Sequence, residues 1–283
     1  MPTVLFVTNA FPYYPGEQFI EDEIAYWAEQ QSCEVIVLPL NSSGEPRRLA
    51  SCLSVDLSLA RGRSTHRRIT SAISALLSSI FWREVITVFK ERPFEARCYF
   101  DALRSVAATK RAESGLKKVI RDKALSEVVV YTYWFGPQSY AAALLKRRQL
   151  ASRVCSRVHG YDLYEHRASR HYLPLKRQLI NSIDMILPVC EDGKAYLQTR
   201  YAAAPHRISV SRLGVPIPLS VARSSESGTL RLLSVSSCVR VKRVDKIIRA
   251  IKIACSVMPR VKLEWTHIGG GPELNALKDL KQC

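Results

Sequence analysis

The sequence predicts an α/β fold, a parallel sheet covered by helices on both faces, followed by a smaller unit of the same kind. Two observations carry this. The strand candidates are continuous apolar runs, Val4-Leu-Phe-Val, Val35-Ile-Val-Leu and Val128-Val-Val-Tyr, without polar alternation. Such strands are buried on both faces, and helical stretches separate them. The length of 283 residues and 47% hydrophobic content are enough for one large or two ordinary cores.

In chain order, strands are expected at residues 3–8, 34–39, 127–132, 154–158, 185–189, 207–211, 230–236 and 262–268. Helices are expected at 17–30, 69–91, 95–120, 137–149, 171–182, 191–203, 243–257 and 272–281. The stretch 216–228 is rich in Pro, Ser and Gly and reads as a linker. It separates a first domain, 1–215, from a partial second domain, 229–283. The second has only β-α-β-α. Two parallel strands are too few for an independent doubly covered sheet, so the sequence looks truncated.

No run of 18 uncharged apolar residues occurs, and the N-terminus reads as a first strand, not a signal peptide. Eight cysteines show no close pairing, which fits a reducing cytoplasm and argues against zinc; no metal site is predicted. The net charge of +17 is unusual. Residues 61–123 hold 15 Lys/Arg against 6 Asp/Glu, a local +9. Within them, Ser71–Trp82 is an apolar segment beside Arg67, Arg68 and Arg83. It reads equally as a membrane-surface segment on anionic lipid or as a buried helix. Nucleic acid is not an expected partner, because zinc-finger, helix-turn-helix and aromatic–basic sheet signatures are all missing.

In a parallel sheet the ligand crevice lies at the carboxyl ends of the strands. The first strand empties into a loop with Gly16 and Glu17; Gly16 allows close backbone approach, and Glu17 favours the next helix dipole. A plain turn with an acidic first helical turn accounts for the same residues. His159 ends a central strand and precedes Gly160; it reads as a ligand contact or as a core histidine. Asp162 either forms an Asx turn or fixes the His159 tautomer. Gly214 is the candidate hinge at the exit into the linker. In the second domain, Arg240 and Lys242 occupy a strand-to-helix turn, and Gly269, Gly270 and Gly271 the next one. One cationic and one glycine-rich turn, each leading to a helix, suit a diphosphate.

These pieces in this order resemble the retaining glycosyltransferases of family 4. The matching stretches are 15–24, Tyr133-Trp134, His159-Gly-Tyr-Asp162, Arg212-Leu-Gly-Val215, 241–248 and Gly269-Gly-Gly-Pro-Glu273. The nearest flavour is capsule, exopolysaccharide and O-antigen assembly. The resemblance implies the GT-B fold, two Rossmann-like domains facing a cleft, the first for the acceptor and the second for a nucleotide-sugar. It implies transfer with retention, usually without a bound metal; the nucleotide-sugar is a co-substrate and no cofactor is expected. Lys242 matches the diphosphate lysine, and His159 the histidine near the transferred sugar, the expected catalytic residue. Two departures stand out. An arginine common five residues before the lysine is Ser237 here, with Arg240 as the candidate substitute. The paired glutamates, Glu-x7-Glu, lie beyond Cys283. The expected function is sugar transfer to a lipid-linked or polysaccharide acceptor in the cytoplasm, at the inner face of the plasma membrane. The alternative is an inactive remnant that keeps acceptor-side and partial diphosphate binding.

Overall fold

The computed structural model describes residues 1–61, 65–220 and 228–282. The chain divides into two compact units between Pro216 and Ile217. Residues 221–227 of the expected linker and Cys283 lie outside the described residues.

The first unit is built on six parallel strands: β1 (Thr3–Thr8), β2 (Glu34–Pro39), β3 (Leu53–Val55), β4 (Val128–Thr132), β5 (Arg153–Val158) and β6 (Met185–Pro188). Their order is β3-β2-β1-β4-β5-β6. Every residue of the central β1 is buried. Its side chains alternate between two cores, as a doubly covered strand requires. Leu5 and Val7 join Val106, Leu116, Ala142 and Leu145. Val4 and Phe6 join Phe11, Ile20, Tyr131 and Tyr133. The helices are α1 (Ile20–Glu29), α2 (Ser58–Arg61), α3 (Thr65–Leu76), α4 (Ser79–Glu91), α5 (Ala96–Asp122), α6 (Pro137–Arg147), α7 (Gly160–Leu163), α8 (Lys176–Leu179) and α9 (Glu191–Tyr201). The fold is thus α/β with a covered parallel sheet, as read from the apolar runs.

In the second unit β7 (Thr229–Val235) and β8 (Lys262–Ile268) pair in parallel over all seven positions. With α10 (Val244–Val257) and α11 (Leu274–Gln282) they enclose a small core of Cys238, Val244, Ile248 and Leu277. Leu230, Leu233 and Val235 on β7 remain exposed.

Several elements depart from the reading of the sequence. The expected strand 207–211 is reduced to one bridge, Ile186–Ile208, although Ser209 N and Ser211 N still reach carbonyls of β6. The three-residue β3 has no sequence signature. The single helix expected over 69–91 is two, because Ser78 turns extended and caps α4 by accepting from Ile80 N. The helix expected over 171–182 shrinks to α8 and short 3₁₀ turns, since Arg170, His171 and Leu175 take left-handed dihedrals.

Candidate functional site

In the first unit the loops after β1, β4 and β5 converge. The first is closed by Glu17 in left-handed backbone at φ +55°. Its carboxylate does not lie along the first turn of α1, as the sequence suggested. It folds back over the end of β1 and accepts from Asn9 N (3.1 Å), Ala10 N (2.6 Å) and Phe11 N (2.5 Å). The Trp134 indole N–H is its fourth donor, at 2.5 Å. Gly16 supplies φ +97°, with open space where a Cβ would stand. Arg47 braces the outer side of the loop, donating to Tyr13 O and Gly16 O and stacking 3.8 Å over Tyr14.

Trp134 also lies against His159, ring centroids 4.7 Å apart, with Tyr133 stacked at 5.3 Å and Phe19 at 5.9 Å. This aromatic cage leaves His159 Nε2 buried and without a hydrogen-bond partner. Burial and then the Arg157 charge push the imidazole down to about 4, against a hydrogen bond with the Tyr133 backbone. The ring is therefore neutral at physiological pH, with an unused acceptor. Asp162 does not hold that ring. Its carboxylate accepts from the backbone N–H groups of His159 and Phe135, both at 2.7 Å, and so ties the loop after β5 to the loop after β4. Burial raises its pKa, opposed by Lys176 and these N–H groups. The fully buried Lys176 donates to Phe135 O at 3.0 Å; burial pulls it down to about 7.

Sequence reasoning passed over Trp134 as a site residue, and also Arg157. The latter sits inside an apolar strand, where a charge needs partners. It pairs with Glu23 at 2.8 Å, donates to Tyr131 Oη, and grips Ser211 by carbonyl and hydroxyl. That arginine interrupting Val154-Cys-Ser-Arg-Val was the available signal.

In the second unit the two turns are zipped backbone to backbone. Cys238 N donates to Gly270 O at 2.8 Å, and Glu273 N to Cys238 O at 3.1 Å. Gly269 and Gly271 are positive in φ, and a Cβ would stand 1.9 Å from Ser236 O and 2.6 Å from Cys238 O. Arg240 and Lys242 are exposed in a 3₁₀ turn, which replaces the expected loop before α10. Arg243, at φ +52°, pairs with Asp245. The structure therefore brings Gly16, Glu17, His159 and Asp162 together in one unit, and Arg240, Lys242 and Gly269–Gly271 together in the other. Among the described residues no group of three or more His, Cys, Asp or Glu is arranged to hold a metal ion.

A covered parallel sheet with loops gathered at its carboxyl edge, followed by a β-α-β-α unit, defines an α/β protein, and its structural matches are to proteins of the GT-B fold. The lipopolysaccharide outer core galactosyltransferase WaaB superposes over 99% of this chain with a TM-score of 0.59 at 11% identity. A UDP-forming trehalose-phosphate synthase from Burkholderia xenovorans superposes over the whole chain with a TM-score of 0.56 at 12% identity. These likenesses are of fold; the chain accounts for 64% and 68% of the two proteins. In sequence, 126 residues are 28% identical to a protein named as a colanic acid biosynthesis glycosyltransferase, WcaL, from Salmonella typhimurium. That match spans 44% of this chain and 31% of the relative. No protein-family profile matches the chain.

Proposed function

We propose that this chain is a glycosyltransferase of surface polysaccharide assembly, moving a sugar from a nucleotide-sugar to a lipid-linked or polysaccharide acceptor. The observation that carries this is the zipped pair of turns in the second unit. Backbone bonds fix the glycine turn against the turn bearing Arg240 and Lys242, and each turn leads into a helix. In transfer, the bond from sugar C1 to the diphosphate oxygen breaks, C1 bonds to the oxygen of an acceptor hydroxyl, and the proton of that hydroxyl passes to the departing diphosphate oxygen. Negative charge grows on the diphosphate, where Arg240 and Lys242 stabilise it without a resident metal or cofactor. In the first unit His159, neutral and with Nε2 unused, offers a hydrogen-bond acceptor to a sugar hydroxyl. Retention of configuration follows from the resemblance to family 4. The identity to WcaL supports the polysaccharide class, and the basic stretch 61–123 supports work at the cytoplasmic face of an anionic membrane.

The test is calorimetric titration with UDP and GDP, followed by nucleotide-sugar turnover. Binding of one nucleotide is expected, and Lys242→Ala should weaken it about tenfold with the fold unchanged, because the side chain is exposed. Equal affinity in the variant removes Lys242 from the diphosphate site. Nucleotide binding without turnover across acceptors would favour the alternative, a chain that binds but does not transfer.

A further inference from the structure

The sequence left Ser71–Trp82, within the expected helix 69–91, open between a membrane-surface segment and a buried helix. The structure gives it two faces. Ser71 and Ala75 of α3 and Phe81 and Val88 of α4 are buried, and Arg111 of α5 donates to Ser71 Oγ at 2.8 Å. The opposite face is apolar and exposed. Ile69, Ile73 and Leu76 follow one another at helical spacing along α3, and Trp82, Ile86 and Phe89 do so along α4. Phe89 is 66% exposed, and Leu77 at the bend 82%. The helices meet at 67°, and the Trp82 indole N–H donates to Leu76 O at 2.8 Å across the break.

Charge selects what covers this face. Arg68, Arg83 and Lys90 are exposed on the same two helices. Of the two carboxylates there, Glu84 is buried, accepting from Tyr172, Leu175 and Gln178. Glu91, the last residue of α4, is paired with Arg177 and Arg200. The exposed surface thus offers apolar stripes, an indole and cations. Because the other side of both helices is packed against the protein, lipid can reach one side only. No single described helix is long and apolar enough to cross a membrane.

We infer that the α3–α4 elbow is an interfacial docking element, which lays Ile69, Ile73, Trp82, Ile86 and Phe89 into the headgroup–acyl boundary of an anionic bilayer. Arg68, Arg83 and Lys90 meet the lipid phosphates. This rests on the membrane placement proposed above and names its contact surface. It is independent of sugar transfer, since the assay contains no substrate.

The experiment is co-sedimentation of the full chain with vesicles of 70:30 phosphatidylcholine:phosphatidylglycerol, against phosphatidylcholine alone. Binding is expected to the anionic vesicles and to fall with added salt. Ile86→Asp with Phe89→Asp should reduce it at least tenfold while leaving thermal unfolding unchanged, as both side chains are exposed. Arg68→Ser with Arg83→Ser should weaken it about 25-fold, roughly fivefold for each cation. Brominated lipid should quench the wild type more than Trp82→Phe. Equal binding by all variants, or no binding to anionic vesicles, overturns the inference. So does a chain that dimerises through this face, dissociates with Phe89→Asp and ignores vesicles.

Discussion

Replacing Glu17 by Gln changes one atom and tests the aromatic cage at its root. One carboxylate oxygen receives Asn9 N and the Trp134 indole, the other Ala10 N and Phe11 N. Whichever way a glutamine amide is turned, its NH₂ faces two N–H donors, which lose their acceptor. A buried donor left unpaired costs about 1–3 kcal/mol, so the substitution should cost about 4 kcal/mol. For a unit of this size that lowers the midpoint of thermal unfolding by about 10 °C. Urea unfolding followed by tryptophan fluorescence measures it, and an unchanged m-value would assign the loss to the native state. Trp134→Phe removes a single donor and should cost less. In a double-mutant cycle the two changes should couple strongly, as they share one oxygen. A loss below 1 kcal/mol for Glu17→Gln would refute the reading of this carboxylate as the clasp of the loop.

Acid should loosen the same unit through His159. Unfolded, the imidazole takes a proton near 6.5; folded, it holds off until about 4. The unfolded chain therefore binds the extra proton in that window, and stability falls by about 3 kcal/mol as the pH drops from 7 to 4. Urea midpoints across that range should show a slope that His159→Gln lacks; parallel curves count against it. In the second unit, Gly269→Ala should cost about 3 kcal/mol through the clash with Ser236 O and its left-handed backbone. Gly270→Ala, with open space around it, should be near neutral, and hydrogen exchange of the β7–β8 amides reads the difference. Equal protection in both variants would contradict the zipped turns.

What the sequence made legible was whatever local patterning dictates. The runs Val4-Leu-Phe-Val and Val128-Val-Val-Tyr could be placed because burial on both faces leaves no polar alternation. The bend at Ser78 escaped notice since apolar periodicity continues on either side of it. Ile208-Ser-Val-Ser has the alternation of a strand, yet only Ile208 finds a buried seat beside β6. Within the site, His159, Asp162 and the glycine turn could be named from position at strand ends. Their partnerships could not. Glu17 meets Trp134 across 117 residues, and Asp162 grips backbone that carries no code of its own.

The flush pairing of β7 and β8 has a colloidal consequence. Among the described residues they pair only with each other, and their outer edges present N–H and C=O groups beside exposed Leu233 and Val235. Such edges are templates for another strand. The net charge of +17 keeps copies of the chain apart at low ionic strength. At physiological salt that repulsion reaches only about 8 Å. Here salt, which leaves the edges as sticky as before, sets how concentrated the chain can become before its copies meet.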